Sequence, residues 1–506
     1  MCRLAILVTL ALAFATAVRA DEASDFRAAA SAFDVARAKG DCTAGAPAAA
    51  TLAAARAFDS LNYHQQLLVW MLGAYCAAKT NNLELSFEDA RRGTALRDAP
   101  DWLWRMRFHE SVMLNRPDDT ADTMSLLVHA QPDVLRTLDD ASLEAIVEDL
   151  IRRVRRDDVA ARMFAALETV NYGPAGPRWF VDRIWFDDAV VELKVGHTDH
   201  AVELMRRVTD PPELLRARLD GRLSAAVAAD PARFDIAAAL DRAVTADEPA
   251  RAAHPDQVAY VLQVARDLYG LRREREALAT LQAALDRIAS ARGKPAFTDQ
   301  DAYLIGVLNL EASLLINVGR IDDALAAQRK AAAPDKNGQP DVDASIALAD
   351  RLIEVGRAQE ALQAISAPVF EQEFTKVTPG ELAAVHADRA CADVQLQRQA
   401  DLERELHYLA AHEYDSEDAR LTALLCADDE QAFVTDLETR LADPIERADI
   451  LVWLCEFEPA ADQTAYEKTM SARMAVIRTR PDVQEAAAKV GRIEHFHLPA
   501  GAFAPY

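Results

Sequence analysis

Two short stretches concentrate imidazole and carboxylate groups. His197-Thr198-Asp199-His200 is followed by Glu203, and Glu494, His495 and His497 lie near the C-terminus. Histidines at i and i+3 with a glutamate at i+6 could share a helix face, the arrangement a divalent metal ion uses. The first stretch is not H-E-x-x-H, however, and His197 falls where a turn is expected. It reads as a surface turn capped by Thr198 or Asp199, and the second stretch is no stronger. No metal ligand is assigned. The chain also has no G-x-S-x-G, no phosphate-cradling glycine loop, no dinucleotide fingerprint and no C-x-x-C. Acidic pairs such as Asp187-Asp188 and Asp322-Asp323 read as solvated helix starts rather than a glycosidase dyad. No catalytic residue and no cofactor are expected.

Thiols and aromatics are the remaining reactive or adhesive groups. There are 6 cysteines. Cys42 and Cys76 are the only pair in the N-terminal region and could bridge a first helical hairpin. Cys391, Cys426 and Cys455 recur at roughly the length of one repeat, which suggests equivalent small packed positions; their connectivity stays open. Aromatics cluster twice, at Trp102, Trp104 and Phe108, and at Tyr172, Trp179, Phe180, Trp185 and Phe186. Core filling explains most of them. Yet Trp102 and Trp104 lie about 200° apart on a helix, so both cannot face one core. One of them, and with less force Trp179 or Phe180, is a candidate partner contact.

Composition limits what could position these groups. The chain has 506 residues, is 51% hydrophobic and carries a formal charge of −25. That balance excludes a disordered chain and argues against nucleic acid or anionic lipid as partners. It leaves room for a basic peptide or protein segment. Glycine is sparse at 17 residues and aromatics make up only 7%, while alanine abounds. Helices are therefore favoured over sheets.

Residues 1–20 have the form of a secretory signal. Arg3 precedes an apolar run from Leu4 to Val18, and Val18-Arg19-Ala20 puts small residues before a cleavage point. Cleavage after Ala20 is expected, and no later run is long enough to span a membrane. Export would give a periplasmic or secreted protein in which disulfides persist.

Helical periodicity is nearly continuous. Ile146, Val147, Leu150, Ile151 and Val154 form one stripe; Val258, Val261, Leu262, Ala265 and Leu268 form another. Thr378-Pro379-Gly380-Glu381 has the form of a capping box. Asp443-Pro444-Ile445-Glu446 and Asp230-Pro231 read as related helix starts. Four segments share one grammar of helix, short turn and helix, the last two turning at Val318-Gly319-Arg320 and Val355-Gly356-Arg357. Small residues lie twelve apart in each: Ala189 and Ala201, Ala265 and Ala277, Ala312 and Ala324, Ala349 and Ala361.

On these residues the chain resembles the tetratricopeptide repeat family, most closely over 185–370. Trp185 sits at that family's first-helix tryptophan position. The family's usual glycine is alanine here, its tyrosines are mostly leucine, and unit lengths vary. The resemblance implies an all-α right-handed α-solenoid of helix–turn–helix hairpins. The expected organisation is a signal peptide at 1–20, an N-terminal block at 21–170, a tetratricopeptide-like block at 178–480 and a terminal helix with a flexible tail at 481–506. It further implies a non-catalytic adaptor for a protein or peptide, with glycan binding in surface-polymer export as the alternative.

Overall fold

A computed structural model describes residues 20–174, 176–334, 340–366, 370, 377–416, 418–460 and 462–503. Residues 1–19 of the expected signal sequence, residues 335–339 and the last three residues are among those that lie outside the described residues. The fold is all-α apart from one short ribbon. Twenty-seven α-helices and one two-stranded sheet are present among the described residues. No helix among them is long and apolar enough to cross a membrane.

The chain forms two units, residues 1–139 with 156–173, and residues 140–155 with 174–506. The chain passes into the second unit for good just after Gly173, between the expected blocks at 21–170 and 178–480. The segment 140–155 differs from the expected block boundaries, because it belongs to the second unit.

Each unit stacks helices in chain order. In the first, Tyr63–Lys79 and Leu83–Thr94 form a hairpin, and Asp101–Met113 with Pro117–Ala130 forms the next. Its N-terminal core gathers Phe26, Phe33, Leu52, Phe58 and Trp70. In the second, Ala259–Gly270 pairs with Glu274–Ser290, Gln300–Asn317 with Ile321–Ala331, Val342–Glu354 with Ala358–Ala364, and Pro379–Gln395 with Gln399–Ala411. The first helices of these hairpins also pack on one another in succession.

One turn design joins many of these hairpins. A residue with positive φ follows the first helix, and the next N–H reaches the carbonyl five residues back. Arg116 donates to Ser111 at 2.9 Å, Arg320 to Leu315 at 2.8 Å, Arg357 to Leu352 at 2.7 Å and Arg398 to Asp393 at 2.9 Å. This satisfies the carbonyls a helix end leaves open. Gly319 and Gly356, at φ +75° and +76°, enter that region without steric cost. Asn115 and Gln397 occupy it in sister turns.

All eight alanines of the twelve-residue pairs are fully buried. A methyl group at each crossing lets the two helix axes approach, which defines the tetratricopeptide-like hairpin. The same spacing continues in the first unit with polar residues of similar size. Ala74 and Ser86, and Ser111 and Thr123, are equally buried, and Ser86 Oγ donates to the Ala74 carbonyl at 3.2 Å. Ala312→Leu is expected to destabilise the protein by about 1–3 kcal/mol through overpacking. Ala326→Leu, on an exposed position of the partner helix, should change stability by under about 0.5 kcal/mol. Urea unfolding of both variants checks the contrast.

Thr378 and Glu381 form the expected capping box. The related reading at 443–446 is corrected. The helix there starts at Arg447, and Glu446 is held by Arg440 and Arg155 instead of capping. Asp230-Pro231 likewise opens a turn, and Asp235 caps the helix that follows. The C-terminal stretch expected to be a flexible tail is a strand over its first part. β2 (His495–Pro499) pairs in parallel with β1 (Glu456–Glu458), and a bulge lies between Phe457 and Glu458. Phe457 stacks on Phe496 and Phe503 with centroids at 5.5 and 5.9 Å.

Candidate functional site

The aromatic candidates separate by burial. Trp104 is 3% exposed and belongs to the core, whereas Trp102 is 39% exposed. Trp179 is buried against Phe180 and Tyr303, and Phe180 packs against the same core. Trp179 is therefore core, and Phe180 is partly buried beside it.

The histidine stretches also change meaning. His197 precedes the helix, and its Nδ1 lies 2.7 Å from Glu192, with His200 at 3.3 Å from the same carboxylate. Glu203 turns away to Arg206. Near the C-terminus Glu494 pairs with Arg218 and Arg492. His495 and His497 face Glu456 and Glu458 on the neighbouring strand.

Cys42 is bonded to Cys76, and Cys391 to Cys426, with Cα separations of 5.0 and 5.2 Å. Cys455 is a free, buried thiol pushed up to about 12 by that burial.

A cavity of about 550 Å³ lies within the second unit. The first helices of the successive hairpins supply one wall: Tyr269, Asn317, Asp350, Arg351, Asp388 and Cys391. The helix Ala465–Arg478 and the ribbon close the other side through Tyr466, Glu467, Met470 and Phe457.

The lining holds six carboxylates and three guanidiniums. All three guanidiniums are engaged. Arg351 binds Glu354 at 2.6 Å, Arg478 donates to the carbonyls of Leu454 and Cys455, and Arg272 pairs with Glu458. Asp388 is buried, and Asp350 lies beside it. Burial first, and the neighbouring Asp350 second, push its carboxyl well above the usual range. Its Oδ2 has no hydrogen-bond partner among the described residues. Two adjacent carboxyls that cannot both ionise in isolation form a receptor for a cationic group. Tyr269, pushed up to about 12 mainly by burial, donates no charge and accepts from Asn317 Nδ2 at 2.9 Å.

Sequence reading missed a second charged cluster. Asp187 and Asp188, read as solvated, are 1% and 2% exposed in the middle of the helix Arg178–Val195. Nearly every residue of that helix from Val181 to Val191 is buried, as for a helix packed all round. Arg183 reaches Asp187 at 3.3 Å, Glu213 at 3.5 Å and Asp449 at 3.5 Å. Arg152 reaches Asp449 at 3.1 Å and Asp187 at 3.4 Å, and Arg216 binds Glu213 at 2.8 Å and also Asp449. The cluster ties the helix Arg447–Leu454, which leads into β1, to the start of the unit.

The stacked hairpins form a tetratricopeptide-like helical-repeat fold. No family model matches the chain, and no curated protein matches its sequence. Among solved structures it is similar to a chain of the APC/C hetero-tetramer Cut9–Hcn1, with TM-score 0.28 and 11% identity over 92% of this chain and 89% of that one. It is also similar to a chain of Naa15/Naa10 bound to HypK-THB, with TM-score 0.24 and 11% identity over 93% and 87%. At these TM-scores the likeness assigns no partner.

Proposed function

We propose that this protein is an exported, non-catalytic adaptor whose second unit holds a basic segment of a protein or peptide. The observation that carries the reading is the buried Asp388 carboxyl beside Asp350, with an unpartnered oxygen, in a cavity where every arginine is already engaged. A lysine or arginine side chain would supply the missing donor. The walls Tyr466, Met470 and Phe457 would bury its aliphatic stem. Exposed Trp102 is a separate, secondary contact candidate on the first unit. Export rests on the signal-like sequence at residues 1–20. The two disulfides favour the same oxidising compartment, periplasmic or extracellular.

The test is fluorescence anisotropy with labelled peptides of about a dozen residues that are basic, neutral or acidic. Basic peptides should bind best. Asp388→Asn should weaken them about ten- to a hundredfold, the worth of a charged hydrogen bond. A cationic ligand needs the ionised carboxylate, so binding expels the proton that the raised Asp388 carboxyl retains. Affinity should therefore rise with pH in the wild type and flatten in Asp388→Asn. Absence of any charge preference would overturn this reading, and a glycan panel would then be the next ligand set.

A further inference from the structure

The structure assigns a transition-metal site to the exposed face of the ribbon, built from His495, His497 and Glu458, with Glu456 beside them. Side chains two apart on a strand share a face. His495 and His497 therefore point to one side of β2, while Phe496 and Leu498 are buried on the other. Glu456 and Glu458 stand in the same relation on β1, around buried Phe457. Parallel pairing sets Glu456 opposite His495, and the bulge advances Glu458 to Pro499. A bulge re-aims the side chain that follows it. Here it brings the Glu458 carboxylate to His497, whose Nδ1 is 2.7 Å from Oε1. The His495 Nδ1 is 3.1 Å from Glu456 Oε2.

One ligand atom each from Glu458, His495 and His497 lies within 4.8 Å of the other two. Donors around a tetrahedral ion at about 2.1 Å sit about 3.4 Å apart. Small side-chain rotations close that gap, because the imidazoles are exposed, His497 by 82%. Arg272 binds Oε2 of Glu458 and leaves Oε1 facing the histidines. It thus orients the carboxylate as an outer partner does in a metal site. Two imidazoles and one carboxylate, with Glu456 or water in the fourth position, suit Zn(II) or a neighbouring divalent ion rather than Ca(II) or Mg(II). The aromatic stack beneath holds the donors on a rigid strand pair, whereas His197 sits in a turn.

The test uses the full chain, free of affinity tags, stripped with chelator and titrated with Zn(II) alone by calorimetry. Co(II) serves as an optical probe of tetrahedral coordination. One saturable equivalent is expected, with visible Co(II) bands. Both should be lost in His495→Gln/His497→Gln, two exposed changes that leave the circular dichroism and melt intact. Arg272→Gln should weaken binding about ten- to a hundredfold. His197→Gln/His200→Gln should leave it unchanged. Absence of saturable Zn(II) binding would overturn the assignment, and so would binding that survives His495→Gln/His497→Gln or disappears with His197→Gln/His200→Gln.

Discussion

Asp449→Asn is expected to cost about 3–5 kcal/mol of stability, because it leaves buried arginines without their shared counter-charge. Asp449 meets Arg152, Arg183 and Arg216 together. Burial alone would raise its carboxyl, yet Arg216, Arg152 and Arg183 override that and hold it well below the usual range. Its folded value is depressed, so its contribution is present above about pH 4, the unfolded value, and is lost as pH falls below that. Glu213 in the same cluster runs the other way. Burial pushes it up to about 7, so its contribution is present at low pH and lost as pH rises through that value. Wild-type unfolding should show both limbs, and Asp449→Asn should lose the acid one. Hydrogen exchange over 443–458 should rise in the variant ahead of the rest of the second unit. Adding Arg216→Met to Asp449→Asn should recover part of the loss, since removing both partners costs less than removing one. Equal exchange in wild type and Asp449→Asn would show that the cluster does not hold this helix.

The contrast between what the residues disclosed and what they hid follows from range. Hairpins were legible because each is local. The twelve-residue alanine spacing, the Gly319 and Gly356 turns and the Thr378–Glu381 cap all close within one unit of chain. The Ser86 and Thr123 crossings use the same spacing, and only a restriction to alanine hides them. Asp187 and Asp449 are separated by most of the second unit, and nothing local distinguishes a buried aspartate from the many solvated ones in so acidic a chain. The same holds for Asp388. A carboxylate on a first helix looks like an exposed face until successive hairpins and the Ala465–Arg478 helix close around it. The ribbon fails for another reason. Glu456-Phe457-Glu458 and His495-Phe496-His497-Leu498 do alternate, but each is too short for a period of two to stand out, and they pair across almost forty residues.

Opening the Cys391–Cys426 bond with a Cys391→Ala/Cys426→Ala double change should cost about 2–4 kcal/mol, with a comparable loss for Cys42→Ala/Cys76→Ala. Each bond closes a loop of similar size, with sequence separations of 35 and 34, so the entropic part is nearly equal. Their functional consequences should differ. Cys42 and Cys76 sit in the first unit and line no part of the cavity. Cys391 lines it, and the Tyr466 hydroxyl of the opposite wall lies 3.3 Å from Cys426 Sγ, so this bond fixes the helix pair on which Tyr466 rests. Loss of Cys391–Cys426 should therefore weaken basic-peptide binding under conditions where both variants are still folded, while loss of Cys42–Cys76 should not. Thiol titration supplies the check on pairing. For residues 21–506 without reductant, native protein should show no reactive thiol, because Cys455 is buried with its thiol pushed up to about 12. Denatured protein should show one. Three thiols on denaturation would mean that one of the two bonds does not form, and peptide mapping would identify which.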